Sequence, residues 1–300
     1  MPDFEDWIKA KQIHVDVVAD DYLPSQDEIP SKLHEVMRYS VIGGGKRVRP
    51  LLVYAASEVT EADPACADLA ALAVECVHSY SLVHDDLPCM DNDMLRHGKP
   101  TAHAKYGEAM AMLAGDALQP EAFLLLARMN LPDAQRLSLM RILAEAASTN
   151  GMCGGQAIDL EHVGKKMDLA SLQRMHSMKT GALLKASVLM GAWCGQAKYI
   201  SSDLICALSR YGQAIGLAFQ IVDDILDVTE DTQTLGKTAG KDAKDDKPTY
   251  VSIFGLHKAK EMADEQYRNA IAALEILPYG LRQKTRRLSE IAEYVVKRTY

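Results

Sequence analysis

Two short stretches concentrate the carboxylates that could do chemistry. "SLVHDDLPCMD" carries Asp85, Asp86 and Asp91, and "FQIVDDILDV" carries Asp223, Asp224 and Asp227. Each follows an apolar run that reads as a helix. Acidic groups at a helix C-terminus oppose the helix dipole, so the same unfavourable arrangement made twice calls for a counter-charge. Clustered oxygen ligands select a hard cation such as Mg²⁺, which completes its shell with water and phosphate oxygens. The two stretches point to a Mg²⁺-bridged phosphate or diphosphate ligand.

Their geometries differ. Asp223 and Asp227 lie one helical turn apart and share a face, which Gln213 and Gln220 extend in steps of seven. Asp85 and Asp91 would point apart on a continuous helix. Pro88, however, lacks an amide hydrogen and clashes with the carbonyl of His84. The helix is expected to end there, and the chain to fold back and return Asp91 toward Asp85.

Positive charge is placed locally to match. "GGGKRVRP" ends one helix in glycines, including Gly45, that permit close backbone approach. It then sets Lys46 and Arg49 three apart, with Arg47 between them, so that two cations can converge on an anion. Arg96 with Lys99, then Lys179, Lys237 and Lys247, follow along the chain. Lys179 and Lys185 stand out because their helix is otherwise apolar.

The elements that must position these groups are helical. Apolar residues recur at three and four, as in Leu204, Leu208, Tyr211, Ile215, Phe219, Val222 and Leu226. The breaks fall at "YLPSQDEIPSK", "VTEADP", "MNLPDAQ" and "EDTQTLGKTAGKDAKDDKP". The helices over 66–87 and 204–228 are apolar on nearly all sides and belong at the centre of a bundle. The expectation is an all-α fold, one large helical bundle spanning 1–300.

Composition narrows the function. With 48% hydrophobic residues the chain can bury a large core, and a net charge of −8 argues against a general nucleic-acid binder. No charged-then-apolar leader opens the sequence, and no apolar stretch of spanning length is free of charge. The six cysteines show no paired spacing. A cytoplasmic protein without a membrane span is expected.

"GGGKRVRP", "HSYSLVHDDLPCMDND", "GKPTAH", "LAGDAL", "GGQAIDL", "KTGALL", "FQIVDDILDV" and "LGKTAGKD…KPTY" together, in this order, resemble the trans-isoprenyl diphosphate synthases. The likeness is strongest to the bacterial farnesyl diphosphate synthase branch and covers residues 45 to about 250. It implies a homodimer of all-α subunits, each a helical bundle around a central active-site cavity. It also implies that the six aspartates hold Mg²⁺ ions, typically three, on the diphosphate of an allylic substrate. Arg96, Lys179 and Lys237 then match cations on that diphosphate, and Lys247 a further substrate contact. Lys46, Arg49 and His78 match the pocket for isopentenyl diphosphate, and Thr180 and Gln220 polar groups beside the developing allylic cation. The implied reaction is ionisation of the allylic carbon–oxygen bond, attack by isopentenyl diphosphate and loss of a proton. One departure stands out. The family usually has two arginines before "GKPT", whereas this chain has Arg96 followed by His97, and an imidazole lacks the bidentate fork of a guanidinium.

A terpene cyclase would need no isopentenyl site, and a non-catalytic partner subunit should have lost one acidic cluster. A geranylgeranyl diphosphate synthase of the same fold is the alternative. Tyr80 and Ser81, five and four residues before Asp85, bear on it. A tyrosine more than one turn below the carboxylates can block the floor of the cavity, and the bacterial branch likewise carries an aromatic there. A fifteen-carbon product is expected.

Overall fold

The computed structural model describes residues 3–165, 167–229 and 248–297. Lys237 and Lys247 therefore lie outside the described residues. The first half runs through α1 (Phe4–Tyr22), α2 (Ser31–Val41), α3 (Val48–Val59) and α4 (Pro64–Asp85). After α4 come a two-stranded antiparallel hairpin, Leu95–Arg96 with Lys99–Pro100, then α5 (Ala102–Tyr106) and α6 (Glu108–Ala127). The second half holds α7 (Asp133–Ala147), α8 (Met152–Glu161), α9 (Leu169–His176), α10 (Ala182–Trp193) and α11 (Ser202–Thr229). It closes with α12 (Tyr250–Phe254), α13 (Leu256–Glu275), α14 (Tyr279–Arg282) and α15 (Arg286–Lys297).

Local chemistry sets the boundaries. Asp63 caps α4 by accepting from the Ala65 N–H at 2.9 Å, and Pro64 occupies the first turn, where its missing N–H costs nothing. Thr249 and Ser252 satisfy each other's backbone N–H at the start of α12. The breaks expected from sequence at 22–32, 59–64 and 129–135 all fall between helices. The hairpin departs from the purely helical expectation. Its turn is made by His97 and Gly98, with φ of 52° and 73°, the left-handed pair that a two-residue hairpin needs.

At the centre, α4 packs against α3 and α6, while α10 touches α3, α4, α7 and α11. Leu72, Val74, Val77, Leu184, Val188 and Ile215 are fully buried in this core. A second, smaller apolar cluster joins Leu172 and Met175 of α9 to Ile221, Ile225 and Tyr250. Among the described residues no spanning-length helix is free of charge, yet α4, α6 and α11 are each long and apolar enough to cross a bilayer despite their scattered charges. For α4 the packing accounts for this, since 78% of its most apolar window is buried within the protein, against 44% for α6.

Candidate active site

Helix α4 ends at Asp85, and the chain turns back on itself. The Leu87 and Asn92 N–H groups donate to His84 and Leu87 carbonyls, and the Asp91 N–H donates to the Asp85 carbonyl at 2.8 Å. The expected return of Asp91 is therefore observed. Burial pushes the Asp85 carboxyl up to about 6; the charge of Lys179 opposes that rise and Asp91 adds to it. Asp86 points elsewhere. It is buried and receives a guanidinium fork from Arg96, with Nε at 2.8 and 3.0 Å from its two oxygens and Nη2 at 2.6 Å from Oδ1. Burial raises the Asp86 carboxyl and these hydrogen bonds resist it. The family resemblance has both residues facing ligand; here they engage each other.

The second acidic cluster sits on the last turns of α11. Asp224 accepts from the Tyr250 backbone N–H at 2.8 Å on Oδ2 and from Gln220 Nε2 at 3.1 Å on Oδ1. Gln220 Oε1 in turn accepts from Thr180 Oγ1 at 3.1 Å. Three residues marked out by the sequence are thus joined in one chain of hydrogen bonds. Asp227 is 4% exposed, and neither of its carboxylate oxygens has a hydrogen-bond partner among the described residues.

Lys179 lies on a π-helical turn, Ser177–Gly181, between α9 and α10. Such widened turns often mark functional sites. Its Nζ donates to Asp159 Oδ2 of α8 at 2.5 Å. The close approach of α8 depends on Gly155, where a Cβ would lie 2.2 Å from the Lys179 backbone nitrogen. Asp159, His176, Lys179, Gln220, Asp224 and Thr249 line a cavity of about 80 Å³.

The glycine-rich loop separates its cations. Gly43 and Gly45 take φ of 73° and 72°, and Arg47 follows at 56° as the N-cap of α3. Arg47 turns inward to Glu75 and Asp16, each at 2.6 Å. Arg49 Nε is a buried donor without a hydrogen-bond partner among the described residues. Burial lowers the Arg49 pKa, while Glu75 and Asp223 pull it back up. His78 is held far below its usual range by burial and then by the charge of Arg49. His97 meets the loop: a Cβ on Gly45 would lie 3.2 Å from its Nε2. Burial, then Arg96, Arg47, Lys99 and Lys46, lower its pKa as well. An anion arriving among these cations would favour the imidazolium.

The polyprenyl synthetase family model matches residues 30–276. The chain belongs to that family. It is 46% identical over 290 residues to a probable farnesyl diphosphate synthase of Bradyrhizobium diazoefficiens, covering 96% of this chain and 86% of the relative. It is also 46% identical over 277 residues to a chloroplastic heterodimeric geranylgeranyl pyrophosphate synthase large subunit of Arabidopsis thaliana, covering 89% and 73%. A geranyltransferase of Helicobacter pylori, solved with magnesium and isoprenyl diphosphate, superposes with a TM-score of 0.87 at 31% identity over 99% of both chains. As a polyprenyl synthetase the protein is an all-α enzyme that transfers prenyl groups.

In this family member the donor set fits a hard cation. The ligands on offer are carboxylate oxygens, and two of them, on Asp227, are buried without a partner among the described residues. Among the described residues no three acidic, histidine or cysteine side chains converge on one point. That suits Mg²⁺, which takes one or two carboxylates and shares the rest of its shell with phosphate and water. Sequence reasoning does not single out Asp159, His176 or Tyr250. Asp159 sits in the quoted "GGQAIDL", and His176 one turn before Lys179, so the signal is present but has no charge pattern to raise it. Tyr80 is 7% exposed, in edge-to-face contact with His84 and with its hydroxyl 3.8 Å from Cys153 Sγ; Ser81 Oγ donates to the His78 carbonyl instead.

Proposed function

We propose that this prenyltransferase condenses isopentenyl diphosphate with dimethylallyl and then geranyl diphosphate to give (2E,6E)-farnesyl diphosphate. One observation carries the reading: Lys179 lines the cavity beside Gln220 and Asp224, and its charge also acts on Asp85 of the other acidic cluster. A single cation within electrostatic range of both carboxylate groups is what a diphosphate lying between them would need.

Asp85, Asp91, Asp223, Asp224 and Asp227 would hold Mg²⁺, with Asp86 contributing through Arg96; the family resemblance implies three ions. Bound Mg²⁺ would supply charge stabilisation for the departing diphosphate. Lys179 adds fixed positive charge to the same leaving group, with Asp159 holding its ammonium in place. Thr180 and Gln220 present oxygen atoms toward the allylic carbon and favour positive charge there. Lys46, Arg49 and His78 grip the second diphosphate, with His97 at the edge of that pocket. The proton lost at the end goes to the diphosphate just released, so no protein base is required. The chain works as one domain and, we infer, as a cytoplasmic homodimer; the exposed Met112, Leu113 and Leu124 of α6 support a partner on that face.

A longer product is the second reading, since several relatives are named for geranylgeranyl pyrophosphate. Buried Tyr80, one turn and more below Asp85, favours the shorter one. The test is product analysis with purified protein, Mg²⁺, dimethylallyl diphosphate and isopentenyl diphosphate. Farnesyl diphosphate as the main product, abolished by chelation of Mg²⁺, is expected. Mainly twenty-carbon diphosphate would overturn the product assignment, and full activity with chelator would overturn the metal role.

A further inference from the structure

His176 ends α9 one turn before Lys179 and is 6% exposed. Its ring stacks on that of Tyr250, with centroids 5.6 Å apart and planes inclined by 25°. Both ring nitrogens of His176 and the Tyr250 hydroxyl are buried with no hydrogen-bond partner among the described residues. Buried polar atoms are almost always paired, so an unpaired set kept together needs a reason. The faces of the rings supply one, because they are the surfaces these two residues use.

The stack feeds into the acidic cluster. The Tyr250 N–H donates to Asp224 Oδ2, Gln220 Nε2 donates to Oδ1, and Thr180 Oγ1 donates to Gln220. Thr180 lies four residues beyond His176, in the widened turn that follows α9 directly. His176, Tyr250, Asp224, Gln220 and Thr180 therefore close a circuit that starts and ends on one stretch of chain. Lys179 is carried on that stretch, and its neighbours His176, Gln220 and Asp224 line the same cavity.

We propose that His176 is a positioning residue for the second acidic cluster: its ring face braces Tyr250, so that the Tyr250 amide fixes the plane of the Asp224 carboxylate for a cation-bound diphosphate. This rests on the metal reading above. A carboxylate held by donors on both oxygens loses little further freedom on meeting a cation. Without the brace, the start of α12 keeps its Thr249–Ser252 cap but loses the contact that sets where the Tyr250 N–H points. Asp224 would then have to be ordered by the incoming ion itself.

The experiment titrates Mg²⁺ into the full chain at fixed inorganic pyrophosphate, by calorimetry, for wild type, His176→Ala and His176→Phe, with a thermal melt of each. His176→Ala should raise the half-saturating Mg²⁺ concentration about tenfold, and His176→Phe should stay within about twofold of wild type because it keeps the ring face. Should His176→Ala not fold, His176→Leu replaces it, with similar bulk and no ring. A lowered melting temperature with an unchanged Mg²⁺ requirement would make the residue merely structural and overturn the proposal. So would a His176→Phe variant as weak as His176→Ala, which would assign the effect to an imidazole nitrogen. Wild type showing no Mg²⁺-dependent pyrophosphate binding would overturn the metal reading itself, and the inference with it.

Discussion

The backbone N–H of Asp91 donates to the carbonyl of Asp85 across 2.8 Å. That bond joins the first and last carboxylates of the opening motif through the main chain. Their proximity is therefore fixed by the backbone, while the side chains stay available. Asp86, between them in sequence, is turned away and held by Arg96.

Removing a carboxylate from either cluster should stop the reaction without unfolding the protein. Asp85→Ala and Asp223→Ala are expected to lower kcat by several orders of magnitude, since electrostatic stabilisation of the leaving group is the main catalytic contribution. Circular dichroism should show unchanged helicity. Near-normal turnover of either variant at saturating Mg²⁺ would contradict the proposed clamp.

Product length should respond to residue 80. Extending the product buries more chain at about 0.8 kcal/mol gained per CH₂, so only a steric stop can hold it at fifteen carbons. Tyr80→Ala is expected to shift the products, resolved by chromatography after dephosphorylation, to twenty carbons and beyond. An unchanged distribution would move the stop to another residue.

His97 lies in a cationic neighbourhood and is held largely neutral there. His97→Arg adds a permanent charge and a fork for phosphate oxygens. The KM for isopentenyl diphosphate should fall, most clearly at alkaline pH, with the KM for the allylic substrate little changed. Equal KM values across the pH range would make His97 a bystander.

Acid should destabilise the fold through His176. Burial lowers its pKa from 6.5 to about 3, so below about pH 6.5 the unfolded chain takes up a proton that the folded chain refuses. Stability is then lost as pH falls from about 6.5 toward 3, at up to about 1.4 kcal/mol per pH unit. His176→Phe should flatten that part of the melting temperature–pH curve. A curve parallel to wild type would show that another group governs acid sensitivity.

Arg47 is expected to matter for stability. Its guanidinium meets Glu75, and both residues are buried. Arg47→Ala would leave Glu75 charged and unpaired in the interior, a loss of about 3–5 kcal/mol. The melting temperature should drop by more than about 6 °C. A melt within a degree or two of wild type would contradict this.

Much of the architecture is legible in the residues alone. Proline and glycine punctuation locates the helix breaks, and Pro88 with the spacing of Asp85 and Asp91 predicts the fold-back. Thr180, Gln220 and Asp224 are each marked out by residue type or family resemblance, but the hydrogen-bonded chain that joins them is not, since Thr180 lies 40 residues from Gln220. Other features leave no local trace. Whether Arg47 or its neighbours Lys46 and Arg49 turns inward depends on Glu75 and Asp16, which lie 28 and 31 residues away. The engagement of Asp86 with Arg96 likewise depends on a hairpin whose strands are only two residues long, too short for alternation to reveal. The π turn is hidden because SMKTG has no proline, its lone Gly181 does not end the helix, and the helical pattern continues on both sides.

That widened turn is also a change of phase. A π turn amounts to one extra residue slipped into a helix, so the apolar stripes of α9 and α10 need not be continuous. α9 contributes Leu172 and Met175 to the smaller apolar cluster, whereas α10 contributes Leu183, Leu184 and Val188 to the main one. Deleting a single residue from 177–181 would restore an unbroken α-helix and turn one helix relative to the other by about 100°. One cluster or the other would then face the wrong way. The extra residue that presents Lys179 to the cavity is thus the same one that lets a single rod serve two cores, so the packing of both depends on the length of this segment.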